Sequence, residues 1–120
     1  MTVVNLINVA TITPVMAAGA VTTSRASIVD VAADKVAKIN SLIIANIDGA
    51  NAADITVEVS IDDGSSYVAI AKTVSVAADS SLIVVGKDNG FYLDETDILA
   101  VTASAASDLT YLVSYELMTD

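Results

Sequence analysis

The sequence predicts an all-β protein: a single β-sandwich, jelly-roll or Ig-like, of about eight or nine short antiparallel strands with an N-terminal extended arm. Three observations predict this fold. Aliphatic or aromatic residues alternate with others in two stretches, residues 55–61 and 109–117, as in half-buried strands. Turn-forming residues recur about every eight to twelve positions. Twelve Asp stand against three Glu, and Asp favours turns whereas Glu favours helices.

Length and composition limit the classes of function. A chain of 120 residues predicts one domain, residues 1–120, in which 1–25 can form an arm and 26–120 form the body. The net charge of −10 argues against nucleic acid and anionic membranes as partners, because both require a basic surface. The sequence has no Cys, His or Trp, which removes the usual zinc ligands, the commonest general base and the best stacking side chain.

The N-terminal stretch VVNLINVATITPVMAAGA has about the length of a signal peptide, but we expect no signal peptide here. No Lys or Arg precedes Arg25, and Asn5 and Asn8 interrupt the apolar run. The run is also too short and too polar to span a bilayer. Pro14 lacks an N–H, so it marks a break or an edge position.

Residues 3–12 can form a strand with apolar side chains on both of its faces. If this strand folded onto its own sheet, one face would leave aliphatic surface in water. Pairing with another chain covers both faces, so we predict a partner or oligomer interface. Its residues are Val3, Val4, Leu6, Ile7, Val9 and Ile12. An ordinary sandwich strand with one poorly patterned face fits the sequence equally well.

The centre of the chain, residues 39–61, predicts a hairpin. Residues 42–45 form a short apolar run closed by Asn46, typical of a strand that is covered on both faces or that lies in a contact with another chain. Residues 48–54 supply Asp, Gly and Asn for a turn. The second strand follows at residues 55–61. The side chains predicted to point inward are Ile55, Val57, Val59 and Ile61, with Tyr111, Val113 and Tyr115 near the C-terminus.

The remaining elements are short strands between turns. Residues 26–31 predict a strand, and residues 32–35 a turn, although Val31, Lys35, Val36 and Ile39 also fit one short helical stripe. Further turns are predicted at residues 62–65, 78–81, 87–90 and 94–97. Strands lie between them at residues 66–76, 82–85, 91–93, 98–103 and 109–117. Residues 53–60 resemble residues 107–114, which predicts a second hairpin equivalent to the central one.

No cluster of residues predicts catalysis, a cofactor or a metal site. Acidic loop residues could gather around calcium, but turn formation explains them better. These residues are Asp62, Asp63, Asp88, Asp94, Glu95 and Asp97. A Ser nucleophile would need a base, and the Lys residues lie where solvation is expected. Tyr111 and Tyr115 share a strand face with Leu and Val, which favours core or interface over sugar binding.

Two segments carry a resemblance to a known group of proteins. They are SLIIANIDGANAADITVEVSIDDGSSY and KTVSVAADSSLIVVGKDNGFYLDETDILAVTASAASDLTYLVSYE. Their order of strands and turns resembles small virion structural proteins of tailed bacteriophages, a group that includes head decoration, or cement, proteins. The resemblance covers residues 39–116 and leaves the first 38 residues unmatched.

The resemblance implies a β-sandwich body without enzymatic activity that attaches to a capsid or tail lattice. We therefore expect a decoration protein on the capsid surface of a virion, made in the host cytoplasm and bound to the major capsid protein or other virion proteins. We also expect a homo-oligomer, with a trimer as one such state. A tail or neck component is the next alternative, and a carbohydrate-binding sandwich on a fibre or cell surface is the alternative from another class.

Overall fold

The structure is a computed structural model that describes Ile7 and residues 9–119. Nine strands form in this part of the chain. They are β1 Thr11–Ala20, β2 Ala26–Asp30, β3 Lys35–Asn46, β4 Ala53–Ser60, β5 Val68–Val76, β6 Ser81–Val85, β7 Phe91–Leu93, β8 Ile98–Ala103 and β9 Leu109–Thr119. The predicted turns at residues 32–35, 62–65, 78–81, 87–90 and 94–97 fall between strands, except that Lys35 and Ser81 are the first residues of β3 and β6. The helical alternative for residues 31–39 is wrong.

The strands form two antiparallel sheets. The first sheet has the order β1-β9-β3-β6, and β7 also pairs with β3 beside β6. The second has the order β2-β8-β4-β5. Apolar side chains from both sheets form one buried cluster between them, so the predicted all-β sandwich is confirmed.

The core follows the alternation in the sequence. Ile55 and Val57 on β4 are fully buried, as are Leu42 and Ile44 on β3. The aromatic rings at residues 111 and 115 of β9 are half-buried and pack against this cluster, while Val113 is fully buried between them. The inward prediction is wrong for Ile61, which is 74% exposed, because β4 ends at Ser60 and the chain enters the next turn.

The prediction that residues 39–61 form a hairpin is wrong. β3 pairs with β9, β6 and β7 in the first sheet, whereas β4 pairs with β5 and β8 in the second. Residues 47–52 therefore cross from one sheet to the other. The predicted second hairpin fails in the same way, since residues 104–108 lead from β8 back to β9. A turn-rich connection of five or six residues can span the roughly 10 Å between packed sheets as readily as it can close a hairpin.

The two crossing connections lie side by side, and we call them the crossover end. The N–H of Ile47 donates to the carbonyl of Asp108 at 2.8 Å, and the N–H of Ser104 donates to the carbonyl of Asp54 at 2.9 Å. Buried Asn46 donates through Nδ2 to the carbonyls of Asn51 and Val76, at 3.0 and 2.9 Å. These bonds satisfy backbone groups that the connections would otherwise leave unpaired.

Part of the region predicted as an arm forms the regular strand β1. Residues 11–20 pair with β9 along their whole length as an edge strand of the first sheet. The N–H of Val21 donates to the carbonyl of Leu109, so the regular alternation turns the N–H groups of odd-numbered residues toward β9. The nitrogen of Pro14 therefore lies on the open edge, as predicted for a proline at an edge position.

Candidate functional site

The acidic loop residues take part in turns. Asp62 accepts hydrogen bonds from the hydroxyl and N–H of Ser66 and from the hydroxyl of Ser60, which hold the pKa of its carboxyl at about 2. The next two residues, Asp63 and Gly64, adopt positive φ angles of 57° and 87°. These features close the β4–β5 hairpin that the Asp-Gly sequence predicts.

A second acidic turn, residues 94–97, joins β7 to β8. Glu95 is 2% exposed, and its Oε2 accepts a hydrogen bond from the N–H of Asp34 at 2.7 Å. Asp97 accepts one from the N–H of Asp94, and burial raises the pKa of its carboxyl. Within Ile7 and residues 9–119, no group of three acidic residues is placed to hold a metal ion. Instead, the hydrogen bond between Glu95 and Asp34 joins this turn to the turn before β3.

A polar cleft of about 680 Å³ opens on the outer face of the first sheet. The register of β3 against β9 shifts between Ile39 and Ser41. Asn40, at this shift, donates through Nδ2 to Glu116 Oε1 at 3.1 Å. Two lysines and two carboxylates line the cleft: Lys38, Lys87, Asp88 and Glu116. Their charges balance, so the cleft suits a neutral polar ligand better than an ion.

An apolar groove of about 350 Å³ lies on the side of the sandwich, where β5 approaches the turn before β7. Its lining is almost wholly apolar and consists of Val59, Ile61, Val68, Ile70 and Phe91. Three of these side chains are exposed: Ile61 by 74%, Val68 by 66% and Ile70 by 45%. We refer to these five residues as the apolar groove. Clustered exposed aliphatics of this kind indicate a surface that another molecule covers.

The groove exists because the first sheet is too short at this point. Val68 is the register partner of Val59, whose side chain packs against the core, so Val68 faces inward as well. The strand of the first sheet that lines the groove is β7, through Phe91, and it has only three residues. No strand of the described part of the chain pairs with the free edge of β7. Inward-facing side chains of β5 therefore reach the solvent.

Most open edges of the two sheets are protected against pairing with another chain. Pro14 interrupts the edge of β1, and β2 has only five residues and an irregular register. The second half of β5 carries Lys72 and then Thr73, whose positive φ of 47° accompanies a register shift. The first half of β5, residues 68–71, carries no charge and borders the apolar groove, and its register with β4 shifts between Ala69 and Ala71.

The predicted interface residues fall into two groups. Val3, Val4 and Leu6 lie outside the described residues. Val9 packs against buried Val36 and Met118, whereas Ile7 is almost fully exposed. Ile12 lies on β1 and is more than half exposed. The interface assignment stays a prediction.

Sequence reasoning missed the apolar groove. The available signal was the run of residues 68–71, Val-Ala-Ile-Ala, in which no polar residue marks a solvent face. The same feature singled out residues 3–12 as an interface. This feature marks residues 68–71 as a strand without a polar face, and it does not report that the strand is exposed.

Comparison with known proteins gives distant structural likenesses. No protein-family model matches the chain, and no curated protein matches its sequence. A protein of Bacillus endospore appendages, which form disulfide-linked pili, is 16% identical over 91% of this chain and 87% of its own length, with a TM-score of 0.43.

Two structures of a pentameric capsid protein from metagenomic phage sequences are also similar. Each is 17% identical over 96% of this chain, with a TM-score of 0.40. This chain spans 62% of one and 67% of the other. In the part of the chain that the structure describes, no helix has the length and apolar character needed to cross a membrane.

Proposed function

We propose that this chain is a non-enzymatic structural protein of a virion, and specifically a head decoration protein that clamps neighbouring capsid subunits. The observation that carries the proposal is the apolar groove beside the uncharged first half of β5. A sandwich with such a surface is suited to adhesion. The resemblance of residues 39–116 to small phage virion proteins supports the same role.

Adhesion requires buried area and no titrating group. A specific contact buries on the order of 1,600 Å², and a lattice repeats that contact over many copies. The acidic character, with a net charge of −10, keeps free copies soluble before assembly. A tail or neck component would use the same surfaces on a different lattice.

The decisive measurement is the number of copies in purified virus particles. A head decoration protein should be present in a fixed ratio to the capsid subunits, and purified chain should bind particles that lack it. A copy number matching the tail or neck would transfer the role to those structures. Absence from purified particles would contradict the proposal.

The polar cleft supports carbohydrate binding as the second candidate. Asn40, two lysines and two carboxylates offer hydrogen bonds, and Tyr92 lies beside Lys38 with its ring centre 6.0 Å from Lys38 Nζ. Tyr92 is more than half exposed, as a stacking ring must be. Glycan-array binding by the parent chain that Tyr92→Ala abolishes would favour this function, with Tyr67→Ala as the aromatic control.

A further inference from the structure

We propose that the apolar groove of one copy takes the N-terminal apolar segment, residues 3–9, of a second copy of this chain as an added strand. This inference rests on the proposed structural role, since it describes how copies join. The segment has the sequence Val-Val-Asn-Leu-Ile-Asn-Val. The interaction is strand addition, in which backbone hydrogen bonds supply affinity and alternate side chains enter the groove.

The groove has the chemistry of a strand acceptor. Its side chains are aliphatic or aromatic, and three of them are exposed although Val68 faces the interior of the sandwich. A strand added here would cover inward-facing side chains that β7 is too short to cover. The backbone groups available for pairing are those of β7, because no strand of the described residues pairs with its outer edge, and a strand added there would extend the first sheet beside β7.

The N-terminal segment has the apolar, uncharged composition expected of a strand that enters the groove. A strand buried on both faces is a nearly continuous apolar run, and residues 3–9 contain five Val, Leu or Ile residues in seven positions. No charged residue precedes Arg25, whereas the whole chain carries −10. An uncharged segment can approach the acidic surface of another copy without the electrostatic repulsion that an acidic segment would meet.

The positions of the two surfaces favour a second copy. The N–H of Ala10 bonds to the carbonyl of Thr119, which places the start of β1 at one edge of the first sheet. The groove lies at the opposite edge, where β7 pairs with β3. Donor and acceptor surfaces on opposite edges make a head-to-tail contact, and repeated head-to-tail contacts close into rings or extend as filaments.

Disulfide trapping tests the contact directly, because the natural chain has no cysteine. Leu6→Cys chains are mixed with Val68→Cys chains and oxidised, with Ser27→Cys, at an exposed position of β2, as the matched control acceptor. Docking raises the effective concentration of the thiols, so we expect about tenfold more hetero-dimer with Val68→Cys than with Ser27→Cys. Equal yields would overturn the proposal. A disulfide formed only within a chain that carries both substitutions would show that the segment covers its own groove, and would overturn it too.

A second variant tests the groove without cysteine. Ile70→Lys places a charge in the groove, and Ser75→Lys places one on the same strand outside it, at an exposed position whose register partner is Asp54. We expect Ile70→Lys and a chain lacking residues 1–8, which keeps β1 whole, to melt like the parent and elute as monomers. Ser75→Lys should associate as the parent does. Parent-like association by Ile70→Lys would overturn the proposal.

Particle binding separates this inference from the proposed function. If Ile70→Lys enters particles at the parent's copy number, the virion role stands and the groove assignment fails. If the parent is absent from particles but forms the Leu6–Val68 cross-link, self-association stands and the virion role fails.

Discussion

The crossover end and the apolar groove show opposite ways of finishing a β-sandwich. At the crossover end, the two connections bond to each other, and Asn46 satisfies the carbonyls of Asn51 and Val76. At the groove, Val68 faces inward, and both Val68 and Ile70 line the surface and are exposed. The first region is complete within one chain, and the second gains stability only from a partner. Stability and assembly therefore depend on different residues.

Val57→Asp should have the largest effect, because Val57 is completely buried between the sheets. An unpaired carboxylate at this position should lower the free energy of unfolding by about 3–5 kcal/mol. Thermal melting of the purified chain measures the loss. The same substitution in the groove, Val68→Asp, should leave the melting temperature of the isolated chain almost unchanged. Equal losses at the two positions would break the distinction between core and groove.

Asn46→Ala should have the second-largest effect, and it tests the crossover end. The change removes the amide that bonds to Asn51 and Val76 and the Oδ1 that accepts from the N–H of Asp48 at 2.9 Å. Buried backbone groups left unpaired cost about 1–3 kcal/mol. Denaturant unfolding measures this loss, with exposed Asn51→Ala as the control. An unchanged midpoint for Asn46→Ala would mean that the connections close without this side chain.

The sequence predicted strands well and their partners poorly, and residues 42–61 show why. Alternation around Val57 reports which face of a strand is buried, and Asp and Gly at residues 48–49 report a turn. Neither pattern reports whether the chain returns to the same sheet or crosses to the other. The sheet of β4 is decided by its pairing with β8, a strand about forty residues further along the chain.

The apolar segments of the candidate site could be predicted from the sequence, but the exposure of the groove could not. An apolar segment without a polar face is visible in residues 3–12 and again in residues 68–71. Exposure of Val68, however, follows from the shortness of β7 on the opposite sheet. A property that depends on what a distant strand fails to cover has no local signal.

Asp62→Asn should have a smaller effect that depends on pH. Hydrogen bonds from Ser66 and Ser60 hold the pKa of Asp62 at about 2 in the folded chain, below the ordinary 3.8. A folded pKa below the unfolded one contributes stability above about pH 4, and that contribution is lost as the pH falls toward 2. The variant should melt lower at neutral pH and lose less stability between pH 4 and pH 2.

Asp63→Asn is the control for this hairpin. It removes the adjacent carboxylate, and Asn tolerates the positive φ of 57° at that position. Its melting temperature should therefore follow the parent's pH dependence. If Asp62→Asn also retained the parent's profile, the hydrogen bonds of the β4–β5 turn would not couple its stability to pH.

The smallest expected effect is that of chelation, and it tests whether the acidic turn at residues 94–97 is closed by the chain itself. Glu95 Oε2 already accepts from Asp34, and Asp97 from Asp94, so these carboxylates have protein partners for part of their bonding capacity. A bound cation would stabilise the folded state by mass action, and its removal would lower the melting temperature. We expect the same melting temperature with and without chelator. A fall in melting temperature that calcium reverses, and that does not occur in Glu95→Gln, would contradict this expectation. It would show that the turn at residues 94–97, unlike the crossover end, binds a ligand that stabilises it.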